Sequence, residues 1–281
     1  MPRFSDAVNR VFDRLETYWE GENIRRRVAL LLVAAFLLAL AVIELQRQNL
    51  LPDEFKDAIP RNHFYAVGLA FTLLLVVEVI GLVFSLVHSV ADSVGKQLEI
   101  LSLILLRESF KEFVHFDEPI RWTDVNEPVL HILSDSTGAL LIFVALGFYY
   151  RIQKHRPITK TRDQQTRFIT AKKLLALLLV LVFAAVGAHN LWGHLSGRAI
   201  YDFFSIFYTI LIFGDILLVL ISLRYSPNYF VLFRNSGFAL TTVVIRLALT
   251  APPYINAALG VGAALFAIGL TLAYNTFTTE E

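Results

Sequence analysis

Seven apolar runs organise this chain, each long enough to cross about 30 Å of hydrocarbon at about 1.5 Å per residue. They fall near residues 28–46, 64–90, 129–150, 172–193, 200–222, 230–251 and 254–275. Prolines stand where such helices should start or stop: Pro52, Pro60, Pro119, Pro128, Pro157, Pro227 and the pair Pro252-Pro253. Tyr149-Tyr150, Trp192, Tyr201 and Tyr229 lie near run ends, as an interfacial aromatic belt requires. The pattern predicts an all-α polytopic membrane bundle of about seven transmembrane helices. One transmembrane domain covers 28–275, and a short tail follows at 276–281.

Two further segments are helical but not apolar enough to span. Residues 1–27 place Val8, Val11, Phe12, Leu15 and Trp19 at helical spacing among charges, the mark of an amphipathic helix lying on the membrane surface. Residues 95–113 set Leu98, Leu101 and Leu105 against Lys96, Glu99, Arg107, Glu108 and Lys111. That pattern predicts a second interfacial helix. Its apolar stretch, residues 100–106, is too short to cross.

Seven crossings put residues 91–127 on the N-terminal side and the basic loop 151–171 on the other. Lys and Arg then divide eleven against thirteen, so the positive-inside rule does not orient the chain. The first helix favours a cytoplasmic N-terminus in a plasma or inner membrane. A crossing by residues 95–113 would instead gather both basic blocks on one side.

Composition narrows the chemistry. The chain has 281 residues, 56% hydrophobic and 17% charged, with a mean hydropathy of +0.59 and a net charge of +1. The absence of cysteine excludes disulfides and thiolate metal sites. Nothing in the charge pattern suits nucleic acid. The first apolar run follows Arg25-Arg26-Arg27 and is too long for a signal-peptide core, so it reads as a retained first membrane helix.

The candidate chemistry lies in ionisable residues at membrane depth, which are costly and so point to function. Glu78, Gly81, Ser85, His88 and Asp92 advance by three or four residues and share one helical face. His131 with Asp135 repeats the His88–Asp92 spacing. With seven crossings, His88, Asp92, His131, Asp135, Asp202 and His189 all reach the N-terminal side, and Arg246 approaches that level. Two imidazoles and two carboxylates suit a divalent metal such as zinc, or a proton relay. The spacing is similar to the paired HxxxD of cation diffusion facilitators, which have six spans and a soluble domain, and the likeness stops at the spacing.

His189 opposite His88 or His131 would offer the two imidazoles of haem b. Asp215 and Arg234, nearer the other side, form an expected structural ion pair. The leading expectation is a transporter or channel for a small cation, proton or divalent metal. In it His88, Asp92, His131 and Asp135 bind the ion, Glu78 gates, and Ser85, Asp202 and Arg246 line the path. The alternatives are a membrane-embedded metal or haem enzyme and a non-catalytic sensor or partner subunit. Expected partners are the lipid bilayer, a small cation or proton, and a second copy or another membrane protein.

Overall fold

A computed structural model describes residues 2–52, 59–85, 87, 90–122, 126–153, 162–196, 202–223 and 229–277. Among the described residues the fold is helical, without strands. The α-helices are α1 (Pro2–Glu20), α2 (Glu22–Arg47), α3 (Phe64–Ser85), α4 (Val90–Lys111), α5 (Asn126–Ile152), α6 (Arg162–Leu195), α7 (Phe203–Leu223), α8 (Tyr229–Thr250) and α9 (Ile255–Phe277). A 3₁₀ turn, Glu112–His115, continues α4. Seven helices, all except α1 and α4, contain a stretch long and apolar enough to cross a membrane.

The arrangement is built around α4. It doubles back along α3, with Phe71 stacked on Phe110 at 5.0 Å and Phe64 on Phe113 at 5.9 Å. It also runs antiparallel to α5 over its whole length. Gln153 Nε2 donates to Asp92 Oδ1 at 2.7 Å, and the Tyr150 hydroxyl donates to Glu99 Oε1 at 2.7 Å. At the other end Ser109 Oγ donates to the Ile132 carbonyl at 3.4 Å, and Glu112 meets His131 at 3.2 Å.

Residues 95–113, expected at the bundle's periphery, are therefore its central helix. Val94, Leu98, Leu101 and Leu105 are buried with Ile142, Leu146 and Tyr149 of α5, Phe238 and Ile245 of α8, and Ala263 and Ala267 of α9. A second core joins Phe12 of α1, Val79 and Leu82 of α3, Ile104 of α4, Phe183 of α6, and Phe207 and Leu211 of α7. The two cores meet along α4, which presents Leu105 to one and Ile104 to the other.

The ends of the bundle are fixed by polar contacts. Ser5 lies 3.4 Å from Thr170, and Lys173 Nζ donates to Asp13 at 2.5 Å, so α1 packs on the start of α6. Trp19 and Phe12 of α1 rest on Phe84. The same N-terminal face holds Gln153 and Asn275, which donates to the Ile152 carbonyl at 2.8 Å. The opposite face holds Asn62, which donates to the Phe116 carbonyl at 2.6 Å, and the Glu112–His131 contact. Helix α2 is held chiefly at this opposite end. Its buried residues are Ile43 and Gln46, and Glu44 and Arg47 reach His63 and Glu118 at 3.1 and 3.5 Å.

Small residues set the closest approaches. A Cβ on Gly138 of α5 would lie 2.6 Å from the Ala257 Cβ and 3.1 Å from its Cα. Gly260 packs against Ile142, whereas Gly262 and Gly269 have nothing within 4 Å of an added Cβ. Gly138→Ala should therefore force α5 and α9 apart and cost about 1–3 kcal/mol. Gly262→Ala should not destabilise. Thermal unfolding of the two variants in detergent checks the contrast.

Candidate functional site

Helices α7 and α8 pack side by side, and each places a charge in the core. On α8, Thr242 and Arg246 are four residues apart and share a face. Across from them is Asp215 of α7. Arg246 Nε lies 3.6 Å from Asp215 Oδ2, and Thr242 is within hydrogen-bonding reach of the same carboxylate. Arg246 is 0% exposed and Asp215 3%. None of the three guanidinium nitrogens has a hydrogen-bond partner among the described residues.

A third charge joins the pair. Lys172 of α6 is 4% exposed and acts electrostatically on Asp215. Two cations and one carboxylate thus share the interior, where charge is far from cheap.

Polar groups continue from this centre towards both faces. Towards the opposite face, Tyr208 lies within the field of both Arg246 and Glu108. Tyr208 and Glu108 line a cavity of about 260 Å³ together with Lys111, Glu112, Asp135 and Asn256. Asp135 is hydrogen-bonded to Asn256 and feels the charges of Glu108, Glu112 and His131. His131 stands between Glu112, at 3.2 Å, and the edge of the Tyr254 ring, at 5.2 Å. Towards the N-terminal face, Lys172 also feels Asp92, the carboxylate that accepts from Gln153. These through-space electrostatic interactions link a file of ionisable groups from Glu112 and His131, through Tyr208, Arg246, Asp215 and Lys172, to Asp92.

A separate feature lies on the flank. Glu78 of α3 forms an ion pair with Arg107 of α4. Both line a groove of about 490 Å³ between α2, α3 and α4, as does Ser85, whose hydroxyl donates to the Leu82 carbonyl at 2.7 Å.

The expected metal set is not assembled. Asp92 and Asp135 sit at opposite ends of the α4–α5 pair, because α4 runs the depth of the bundle between them. His88 lies outside the described residues. His189 is exposed on α6, which packs on α1, α3 and α7, whereas His131 belongs to α5, which packs on α4 and α9. No group of three or more His, Asp or Glu side chains suited to a metal occurs among the described residues.

Asp202 caps α7. Its carboxylate accepts from the Phe204 and Ser205 amides at 3.2 and 3.4 Å and from the Ser205 hydroxyl at 2.6 Å. The Ser205 hydroxyl above all holds it below the usual carboxylate range. The ion pair expected between Asp215 and Arg234 is replaced by Asp215–Arg246, and Arg234 lies 4.6 Å over the Tyr274 ring. Lys172, Tyr208, Glu108 and Glu112 are additions that residue patterns did not single out. Lys172 follows Ala171 at the edge of a basic stretch, where lysines normally reach water.

No protein-family model matches the chain, and neither a curated protein nor a solved structure is similar to it.

Removing one partner of the buried pair leaves the other charge stranded. Asp215→Leu or Arg246→Leu alone should cost about 3–5 kcal/mol, and the double replacement much less than the sum. Unfolding of the four proteins in one detergent measures the coupling. Asp202→Ala should cost about 1 kcal/mol as a lost cap. That contribution is present at neutral pH and is lost as the pH falls through the lowered carboxylate range, so wild type and variant should converge in acid.

Proposed function

We propose that this integral membrane protein transports protons along the file from Asp135 to Asp92, with Asp215 as the central proton-carrying group. The observation that carries the reading is the buried Asp215–Arg246 pair, on which Lys172 also acts electrostatically, in the middle of a bundle of membrane-spanning helices. A buried ion pair adds little net stability over an apolar replacement, so stability alone is a poor reason for three charges here. Arg246 keeps its charge at any working pH and sets how readily Asp215 takes a proton. Asp215 and Lys172 then exchange protons with each other. The carboxylates Glu108, Glu112 and Asp135 concentrate cations at the cavity mouth. The two central cations oppose passage of a metal ion but not the shift of a proton between neighbouring groups. This favours a proton over the divalent metal also expected from the sequence.

The same reading has eight crossings, α2 to α9. It is supported by the length of α4 beside α3 and α5, and by its outward strip of Leu103, Leu106 and Phe110, each 44% exposed. The six Lys and Arg of residues 1–27 and seven of the eight in residues 151–173, all but the buried Lys172, then share the N-terminal side. By the positive-inside rule that side is cytoplasmic.

Two measurements test the proposal. In proteoliposomes carrying an internal pH dye, a potassium diffusion potential should drive proton entry through the wild type. Asp215→Asn should reduce the rate about 10²-fold or more. Glu78→Gln, off the file, should leave it unchanged. Full flux through Asp215→Asn, or none through the wild type, overturns the reading. Cysteines at Arg14 and Asp117, both exposed, should label from opposite faces of intact vesicles. Labelling from one face would remove the eighth crossing.

A further inference from the structure

Beyond the interior file, the flank groove is built for a membrane lipid. Its walls are three stripes at helical spacing: Arg25, Val28, Ala29 and Leu32 on α2; Leu74, Val77, Glu78 and Gly81 on α3; and Lys96, Glu99, Ile100 and Arg107 on α4. The α2 wall below Arg25 is apolar, while α3 and α4 bring a polar face. Because α2 is anchored at its far end through Ile43, Gln46, Glu44 and Arg47, its N-terminal half borders an open space of about 490 Å³. From Lys96 to Arg107 the groove descends about 16 Å, the hydrocarbon depth of one leaflet.

What fills it must satisfy both walls. Acyl chains alone would leave the Glu78–Arg107 pair facing hydrocarbon, which is costly. Water alone would wet Val28, Ala29 and Leu32. Charges in the groove come in alternating signs: Lys96 pairs with Glu99 at 2.9 Å, Arg107 pairs with Glu78, and Arg25 and Glu20 flank Trp19 at the mouth. A headgroup that carries a phosphate and an amine matches this alternation, the phosphate between Lys96 and Arg107 and the amine towards Glu99 and Glu78. Phe71 stacked on Phe110 closes the α3–α4 wall below, so the site ends at mid-depth. We propose that the groove binds one phospholipid with an amine-bearing headgroup, drawn from the leaflet on the N-terminal side, with its chains along α2.

Native mass spectrometry of the purified chain, titrated with defined lipids, tests this. Dioleoyl phosphatidylethanolamine should bind with one tight equivalent. Dioleoyl phosphatidylglycerol, which lacks the amine, and free phosphoethanolamine, which lacks the chains, should each bind about tenfold more weakly or worse. The Glu78→Gln/Arg107→Gln double variant keeps shape and removes both charges. With an unfolding temperature near wild type, it should lose about tenfold in affinity for phosphatidylethanolamine. Asp215→Asn should bind normally, which separates this site from the proton file. Equal binding of the two phospholipids, tight binding of free phosphoethanolamine, or undiminished binding by a folded double variant each overturns the proposal. Should the double variant unfold, Val28→Trp and Ala29→Trp, which fill the apolar wall, must abolish the tight equivalent.

Discussion

A helix dense with charge can occupy the centre of a membrane bundle only if its neighbours supply a partner for each charged group. This requirement governs the packing around α4. Glu99 is met by Lys96 and the Tyr150 hydroxyl, Arg107 by Glu78, Glu108 by Lys111, and Glu112 by His131. Lys96–Glu99 and Glu108–Lys111 close within α4 and its end, while the contacts of Glu78, Tyr150 and His131 fix the register of α4 against α3 on one side and α5 on the other. Burying these groups without partners would cost several kcal/mol apiece. The register of the three helices is thus set by polar pairing, and the leucines of α4 fill the space that the pairing leaves.

The second charged layer obeys the same rule less completely. Asp215 and Arg246 lie where α7 and α8 meet, with Lys172 on the adjoining α6, but Arg246 faces its carboxylate at 3.6 Å with no hydrogen bond to any described residue. Compared with α4, where contacts at 2.7 to 3.2 Å are the norm, this layer is loosely satisfied. A loose arrangement of ionisable groups is a poor staple and suits the relay proposed above, because a proton can be taken up without breaking a short bond. Tyr208 and the cavity beyond it connect the layer to the acidic vestibule at one face, and Asp92 connects it to the other.

Much of this architecture is legible in the sequence, and what is not has a physical cause. The apolar run at 64–90 is matched by α3 to within its end, and those at 129–150 and 254–275 by α5 and α9, because lipid-facing length leaves an unmistakable signal. The amphipathic spacing of residues 1–27 yields α1, with Val8 and Phe12 buried. Glu78 and Arg246 stand out in the sequence as ionisable residues within apolar runs, but their partners are not legible there. Pairing depends on which helices are neighbours and on their lengthwise stagger, and no single-helix pattern encodes either. The choice of Arg234 for Asp215 failed for that reason. The His–Asp spacing of residues 88–92 and 131–135 carried no information about side, and the direction of α4 separates Asp92 from Asp135.

Residues 95–113 do more in the bundle than an interfacial face requires. An interfacial helix has one polar face and one apolar face, and residues 95–113 fit that description when projected coarsely. Successive residues on an α-helix point about 100° apart, so Arg107 and Glu108 cannot serve the same neighbour. Arg107 lines the flank groove and Glu108 the interior cavity. The broad polar face is really two stripes. Lys96, Glu99 and Arg107 look towards α2 and α3, while Glu108, Lys111 and Glu112 look into the vestibule. The remaining arc carries Val94, Leu98, Leu101 and Leu105 into the core, and Leu103, Leu106 and Phe110 turn outwards. Four environments around one helix require low mean hydropathy even at the centre of a membrane protein. Hydropathy therefore leaves α4 outside the seven apolar spans although it packs at the centre of the bundle. It is the shared wall of a lipid-facing groove and an interior file, and a wall between two polar spaces cannot itself be greasy.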